Sequence, residues 1–303
     1  MRTWKTLAVA LSTLGLLAGP ARADDPKFAY GKKDEMAKAP EWAASVNLGF
    51  AATTGNSRTL NLSGALMLAH RFTPDDMLTF DARGVFGRST TQTAVDANAD
   101  GQISPSEVVD ITQTVAQSWG TKLRYDHFFD LNAIYGFVHA AGDTPAGKPF
   151  MGGVQAGYSR ALYKTATSEL VGEAGLDYTY QRFAVGPPDY VNIAALRAYL
   201  GYLGTPLDSL TYGASLEWFG NLTKEATPTG DIGAFGDNRI TGKLSVTWKI
   251  FGNGSLGFNF RALYNTAPAV KPPPPGFTWA PGYLPLADRW DTTTELVLLY
   301  KLL

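Results

Sequence analysis

An alternation of apolar with polar or small side chains runs through the sequence from Trp42 to the last residues. About twelve segments have this period of two, and each is close to the ~10 residues that a tilted barrel strand requires. The clearest segments are 60–69, 210–218, 240–250 and 256–264. Because successive side chains of a strand point to opposite faces, each segment has one apolar and one polar face. The pattern predicts an all-β protein.

The links between these segments separate two all-β folds, a soluble sandwich and a membrane barrel, that alternation alone does not distinguish. Every second link is short, and these predicted turns are 73–76, 129–132, 164–168, 206–209 and 252–254. The other links include all the long ones, at 89–113, 141–149, 184–190, 220–238 and 265–290. Short turns opposite long loops are typical of outer-membrane barrels. We therefore predict a transmembrane up-and-down antiparallel β-barrel of about 12 strands over residues 42–303.

The beginning of the chain has the pattern of an export signal. Basic residues come first, an apolar run follows over about 7–17, and small residues stand at 21–23, which predicts a cleavable signal peptide over residues 1–23. The apolar run is shorter than the ~20 residues that a membrane-spanning helix needs. Residues 24–41 have mixed charges and no alternation, and are predicted to be a periplasmic extension. The expected location is the cell outer membrane, as an integral protein.

Aromatic residues recur near the predicted strand ends, where they would form the girdles that anchor a barrel at the bilayer surfaces. They are Phe72, Phe128, Phe129, Trp218, Phe219, Trp248, Phe251 and Tyr264. The polar faces carry charges of both signs, which would line the lumen: Asp81, Arg83, Lys122, Arg124, Asp126, Glu173, Asp177, Arg197, Glu217, Lys243, Arg261, Glu295 and Lys301. An ion-selective pore is expected to have a ring of one sign. Mixed signs favour paired charges in a narrow interior, and a water-filled passage for small solutes is the alternative.

Residues 96–107 match the twelve-residue calcium-binding loop of an EF-hand. Gly101 stands at the sixth position, where the loop turns sharply. The predicted metal ligands are Asp96, Asn98, Asp100, Gln102 through its backbone carbonyl, Ser104 and Glu107. We expect Ca²⁺ to have a structural role here, because a cation removes the repulsion within a carboxylate-rich loop. The alternative is an acidic surface turn that binds nothing, because the flanking helices of a full EF-hand are not predicted.

Calcium together with about twelve strands also suggests a second class of function, a calcium-dependent outer-membrane lipid hydrolase. Such enzymes use a serine and a histidine near the outer leaflet. His139 is the candidate, because it lies toward the outer end of its strand and shares the parity of Tyr135 and Phe137, which we interpret as lipid-facing. The residues that follow His139, at 140–142, lack the serine of the phospholipase motif. We therefore predict that the protein is not an enzyme.

The overall charge gives no reason to expect a nucleic-acid partner, because 26 basic side chains are balanced by 27 acidic ones. The expected partners are outer-membrane lipid and lipopolysaccharide, the barrel-assembly and periplasmic chaperone machinery, and small solutes if the lumen is open. The predicted function is non-enzymatic: support of the envelope or slow passage of small solutes, with one outward loop that binds calcium.

Motifs at both ends of the mature chain carry a resemblance to a known family. The stretches WAASVNLGF (42–50), TTGNS (53–57) and LNL (60–62) resemble the opening signature of the YdiY-like family of salt-induced outer-membrane proteins. DNRITGKLS (237–245) and the closing DTT and LLYK (291–301) are similar to its last strands. The resemblance implies an outer-membrane barrel of unknown biochemical function and supplies no catalytic or binding residue. Two features depart from the family pattern: the terminal Leu303, where an aromatic residue is favoured, and the calcium-type loop.

Overall fold

The computed structural model describes residues 41–53, 57–94, 104–273 and 278–301. Its strands are β1 (Trp42–Thr53), β2 (Ser57–Thr73), β3 (Asp76–Ala94), β4 (Val108–Phe129), β5 (Asn132–Asp143), β6 (Lys148–Lys164), β7 (Ser168–Arg182), β8 (Tyr190–Leu207), β9 (Leu210–Asn221), β10 (Glu225–Thr227), β11 (Gly230–Ile232), β12 (Asn238–Phe251), β13 (Gly254–Asn265) and β14 (Trp290–Lys301). A single 3-10 turn is described, at Pro105–Glu107.

Twelve of these strands form one closed barrel, and β10 pairs only with β11. Each barrel strand pairs antiparallel with its sequence neighbours, and β1 closes the sheet against β14. The predicted fold class, a transmembrane up-and-down antiparallel β-barrel of about 12 strands, is confirmed. Within the described ranges, no helix has the length and apolar character needed to cross a bilayer. The predicted signal peptide (1–23) and the predicted extension up to residue 40 lie outside the described residues.

The two ends of the barrel differ in their connections. At one end, which we call the turn end, the strands are joined by the short links 74–75, 130–131, 165–167, 208–209 and 252–253. At the other, the loop end, the links include 95–107, 144–147, 183–189, 222–237 and 266–289. The predicted arrangement of turns and loops is therefore confirmed, with one difference. Residues 89–94 and 108–113 belong to β3 and β4 rather than to a loop, and Ser89 pairs with Gln113.

This extension of β3 and β4 was missed for a physical reason. The stretch is rich in threonine and glutamine, and Thr90 and Thr112 hydrogen-bond across it at 2.9 Å between their hydroxyl oxygens. Backbone pairing continues there without an alternation of apolar residues, and only the alternation is visible in the sequence.

The outer face of the barrel is apolar, and Leu48, Phe50 and Leu296 each expose at least 66% of their surface. Rings on this face contact one another in two belts. Near the turn end the belt is formed by Trp42, His70, Phe72 and Tyr125. Near the loop end it is formed by Trp119, Phe150, Tyr180 and Tyr190. This surface matches the apolar band and aromatic girdles of a membrane barrel.

Two of the predicted girdle residues face the interior instead. Phe128 is 4% exposed and packs with Met77, and Phe219 packs against a buried cluster around Phe183. Each is adjacent in sequence to another predicted girdle aromatic, Phe129 or Trp218. Successive side chains of a strand point to opposite faces, so both members of such a pair cannot face lipid.

Buried apolar side chains form two clusters inside the barrel. The first consists of Met77, Phe128, Ala133, Ala161 and Val171 on strands β3 to β7. The second consists of Phe183, Val191, Ile193, Ala195 and Ala269, and joins β8 to the long loop 266–289. The polar site described next lies within the same lumen.

Candidate functional site in the barrel lumen

A chain of ion pairs crosses the lumen from β4 to β9, and we call its five residues the arginine network: Arg124, Asp126, Glu173, Arg197 and Glu217. The Nη2 of Arg124 donates to Asp126 Oδ1 at 2.7 Å and to Glu173 Oε1 at 2.8 Å. Arg197 Nη1 donates to the other oxygen of Glu173 at 2.5 Å, and its Nε donates to Glu217 at 2.7 Å. Both guanidinium groups are buried, so these ion pairs are shielded from solvent.

Tyr135 on β5 lies between the two arginines of this network. The guanidinium carbon of Arg124 is 4.2 Å from the centre of the Tyr135 ring, and that of Arg197 is 5.9 Å away. The Tyr135 hydroxyl accepts hydrogen bonds from Arg197 and from Gln155, both at 3.0 Å. The quadrupole of an aromatic ring attracts a cation that lies over its face, so the Tyr135 ring stabilises the two guanidinium groups in these positions.

Glycines opposite Tyr135 make room for its ring. A Cβ at Gly157 would lie 2.6 Å from the Tyr135 hydroxyl oxygen, and one at Gly175 would lie 2.7 Å from it. Because real Cβ atoms do not approach so closely, a side chain at either position would collide both with the ring and with a backbone carbonyl of the adjoining strand. These glycines therefore belong to the site, although alternation alone gave them no role.

The predicted lipid-facing parity of Tyr135, Phe137 and His139 is wrong, because all three face the lumen. Tyr135 is 3% exposed, and Phe137 and His139 line the central cavity. The neighbouring Ile134 and Val138 are exposed on the outer face instead. Both faces of β5 are apolar in sequence, so alternation could not decide which face meets lipid.

The central cavity, which we call the chamber, has a volume of about 190 Å³. Its charged lining residues come from strands β3 to β12: Asp81, Arg83, Lys122, Arg124, Glu173, Asp177, Arg197, Glu217 and Lys243. Lys122 pairs with Asp81 at 3.5 Å between Nζ and Oδ2. All nine were predicted to face the lumen, and their signs are mixed as predicted. Asp126 is buried next to Arg124, and the side chain of Lys301 lies outside the described residues.

His139 lies on the chamber wall beside an acid. Its Nε2 is 3.4 Å from Asp177 Oδ2 and 3.5 Å from Thr179 Oγ1. The residues that line the chamber, all in the described part of the chain, include no serine. Ser159, buried nearby, donates instead to Glu173 at 3.2 Å. This geometry gives the lipid-hydrolase hypothesis no support.

Residues 266–273 and 278–289 of the link between β13 and β14, which we call the strap, fold into the mouth at the loop end. Its backbone forms two antiparallel segments: Lys271 N donates to Pro285 O and Ala287 N to Ala269 O, both at 2.8 Å. Ala269 and Val270 are 5% and 2% exposed. The sequence predicted a long link over 265–290, but its inward path depends on contacts with distant strands and was not predicted.

A second group of charges surrounds Glu225, which lies on β10 in the loop 222–237 and is fully buried. Burial raises the pKa of the Glu225 carboxyl from 4.5 to about 7, and the neighbouring carboxylate of Asp237 adds to the rise. The positive charges of Arg239 and Lys148 act in the opposite direction. The two carboxyl groups and two cations balance in number, so the rise comes mainly from the loss of water around the Glu225 carboxyl.

The predicted calcium ligands fall mostly outside the described residues. Asp96, Asn98, Asp100 and Gln102 lie in the segment 95–103, and the side chain of Glu107 is likewise not described. Ser104 is described, and its hydroxyl lies 2.9 Å from that of Ser106. Across the described ranges, no group of three or more His, Cys, Asp or Glu side chains is arranged to hold a metal. The calcium site stays a prediction.

Comparisons with solved structures find bacterial membrane barrels. The COG4313 outer membrane channel from Pseudomonas putida F1 is 13% identical, with a TM-score of 0.46, and the match covers 92% of this chain and 100% of that one. The translocator domain of the autotransporter NalP from Neisseria meningitidis is 10% identical, with a TM-score of 0.41, and the match covers 88% and 91%. OmpT, an outer membrane protein of Vibrio cholerae, is 10% identical, with a TM-score of 0.37 and coverage of 86% and 96%.

Two comparisons at the level of sequence complete these results. No curated protein matches the chain significantly. A model of a protein family of unknown function, DUF481, matches residues 46–301, which is nearly the whole barrel. The chain therefore belongs to the DUF481 family.

Proposed function

We propose that the protein is an integral outer-membrane barrel through which small polar solutes pass slowly. The observation that carries this proposal is the chamber of about 190 Å³, whose wall is charged and held rigid by buried ion pairs. A barrel that served only as a structural element would not require a cavity lined by charges of both signs. The lumen is narrow because the arginine network occupies the side formed by β4 to β9.

Short side chains face the lumen on the strands β9, β12 and β13, and we call this face the small-residue wall. Ser245 and Thr247 share the face of Lys243 on β12, because alternate residues of a strand point the same way, and Lys243 lines the chamber. A Cβ at Gly213 would lie 2.7 Å from Ser245 Oγ, so Gly213 shares this face. The wall consists of Gly213, Ser215, Ser245, Thr247, Ser255 and Gly257. These side chains are shorter than those of the arginine network and carry no charge.

Conductance in planar lipid bilayers tests this proposal on the full mature chain. We expect small, discrete current steps from the unaltered protein. Lys243→Glu should shift the reversal potential toward cation selectivity, because Lys243 lines the chamber. The matched control is Lys224→Glu, which makes the same charge change at an exposed position and should leave the reversal potential unchanged. If no current steps appear with any tested ion, the passage is refuted, and support of the envelope is the remaining alternative.

The outer-membrane location is part of the proposal and is supported by the apolar outer face and its two aromatic belts. Lipid, lipopolysaccharide and the assembly machinery are the partners that such a barrel requires. We keep the YdiY-like assignment as a proposal, supported by the motifs at both ends of the mature chain. A rise in the amount of the protein in outer-membrane fractions after an increase in external salt would support both assignments, and recovery in the soluble fraction would refute the location.

Calcium binding at the tip of the β3–β4 hairpin is a separate proposal. Its support is the sequence match and its position, because residues 96–107 fill almost the whole link between Ala94 and Val108. Calorimetry on the refolded barrel should detect Ca²⁺ binding, and Glu107→Gln should weaken it sharply by removing the bidentate ligand. Asp130→Asn, in a turn at the other end of the barrel, is the matched control. No heat of binding in the unaltered protein would refute the site.

The absence of enzymatic activity is also a proposal. If the protein were a lipid hydrolase with His139 as its base, His139→Ala would abolish release of fatty acid from phospholipid vesicles. We expect no release from either the unaltered protein or the variant. Release that depends on both His139 and Ca²⁺ would establish the hydrolase instead.

A further inference from the structure

The strap reaches across the whole mouth of the barrel. It connects β13 to β14, and its inner end lies against the turn 144–147, which connects β5 to β6. In the order of strands around the barrel, four strands separate β13 from β6, and four others separate β14 from β5. The turn 144–147 is therefore directly opposite the base of the strap.

Close contacts with the barrel hold the inner end of the strap in place. Ala269 packs in the apolar cluster with Phe183 and Ile193. Gly147 has a φ of +75°, and a Cβ there would lie 2.1 Å from the carbonyl oxygen of Val270. Only a residue without a side chain fits between the turn and the strap. Burial of apolar surface at these contacts stabilises the inner end of the strap in this position.

A cavity lies on each side of the strap. The first, of about 240 Å³, is lined by Phe183, Glu225, Asp237 and Arg289 among others. The second, of about 260 Å³, is lined by Asp143, Lys271, Asp288 and Asp291 among others. Ala269 and Val270 line the first cavity, and Lys271 and Ala287 line the second, so the strap itself is the partition between them.

We propose that the strap is the size-selecting element of the channel. It divides the entrance at the loop end into two narrow openings and restricts entry to small polar solutes. The inference rests on the proposed function, because a size limit has meaning only if solutes pass through the lumen. Selection by a strap seated on apolar contacts is a fixed property of the entrance, and requires no signal to open it.

The experiment compares five proteins, namely the unaltered protein, three variants and one combination of two of them, in planar bilayers and in vesicles loaded with uncharged polymers of increasing size. In the first variant, a short Gly-Ser linker replaces residues 267–287. The ends of that linker are already close, because Asn265 N donates to Arg289 O at 2.8 Å. The second variant is Gly147→Ala, whose methyl group would collide with the strap. Its matched control is Gly252→Ala, in the turn 252–253 at the other end of the barrel, at a φ of +40° with no atom within 4 Å of the new Cβ.

Removal of the strap should raise the conductance several-fold and admit larger polymers. Gly147→Ala should have a smaller effect in the same direction. In the strap-free variant Gly147→Ala should have no further effect, because both changes remove the same contact between Gly147 and the strap. Gly252→Ala should behave as the unaltered protein, since it also places an alanine at a positive φ but causes no collision.

The possible failures can be told apart. If the unaltered protein and the strap-free variant conduct equally and exclude the same polymers, the strap proposal is overturned and the channel proposal stands. If only the strap-free variant conducts, the strap blocks the entrance completely, and slow passage through the unaltered protein is refuted. If neither conducts, both proposals fall. Native-like heat-modifiable migration on gels confirms that each variant has folded as a barrel.

Discussion

The arginine network and the small-residue wall lie in the same lumen and differ in the charge and the size of their inward side chains. In the network, two guanidinium groups and three carboxylates satisfy one another around the ring of Tyr135, and together they fill the space. In the wall, the inward side chains are only those of glycine, serine and threonine. The difference teaches that one closed sheet can carry a buried network of paired charges on one side and short side chains on another, because the inward side chains of each strand are independent of the backbone pairing.

The largest expected effect is that of removing Arg124. Arg124→Ala leaves Asp126 and Glu173 buried without this cation, and should lower the free energy of unfolding by about 3–5 kcal/mol. Urea unfolding in lipid vesicles, followed by tryptophan fluorescence, measures the loss. Thr247→Ala in the small-residue wall is the control and should change the free energy of unfolding by less than about 0.5 kcal/mol. Equal losses in the two variants would abolish the distinction between the two regions.

A smaller effect is expected from Tyr135→Phe, which keeps the ring and removes its hydroxyl. The hydroxyl accepts two hydrogen bonds, so Gln155 and Arg197 each lose a partner in a buried position. The free energy of unfolding should fall by about 1–3 kcal/mol. Tyr300→Phe, at an exposed position on the outer face, is the matched control and should be nearly neutral. A neutral Tyr135→Phe would mean that the ring, and not its hydroxyl, holds the network together.

The smallest expected effect is a dependence on pH confined to the loop 222–237. The pKa of Glu225 is about 7 in the folded protein against an ordinary value of 4.5. Between these pH values the folded loop keeps a proton that the unfolded chain has lost, so its stability falls as the pH rises toward 7 and then levels off. Hydrogen exchange of the loop amides, corrected for intrinsic rates, should show weaker protection near pH 8 than near pH 5.

Glu225→Gln supplies the control for this pH effect, because an amide of similar shape cannot titrate. Protection of the loop should then be equal at the two pH values, while exchange in the strands around the arginine network should be insensitive to pH in both proteins. If the unaltered loop is equally protected near pH 5 and pH 8, burial of the Glu225 carboxyl has no consequence for the stability of the loop. The contrast with the fully paired network would then be lost at the loop end.

The barrel could be predicted from the sequence because its main determinant is local. An apolar outer face requires alternation in every strand, and short turns must separate the strands at one end, as at 130–131 and 252–253. The inward position of charges such as Arg124 and Lys243 follows from the same alternation. The extended hairpin of β3 and β4 was not predicted, since beyond the apolar band nothing in the sequence marks continued pairing.

The candidate site was predicted only in part. The charges were identified as residues of the lumen, but the partners of each charge were not, because pairs such as Arg124 and Glu173 are 49 positions apart in sequence. Tyr135 and His139 were assigned to the wrong face, since β5 has apolar residues on both faces. The crowding of Gly157 and Gly175 against the Tyr135 ring is a signal that could be recognised only once the strands were placed in register.

The sequence by itself determined that this chain closes into a barrel with an apolar outside and a charged inside, because a period of two is fixed residue by residue along each strand. The tertiary structure alone decided which charges pair, which aromatic rings turn inward, and that the strap crosses the mouth to meet Gly147. The reason is physical: these contacts join strands on different sides of the barrel, and their distances are set by the closure of the sheet and not by any local pattern.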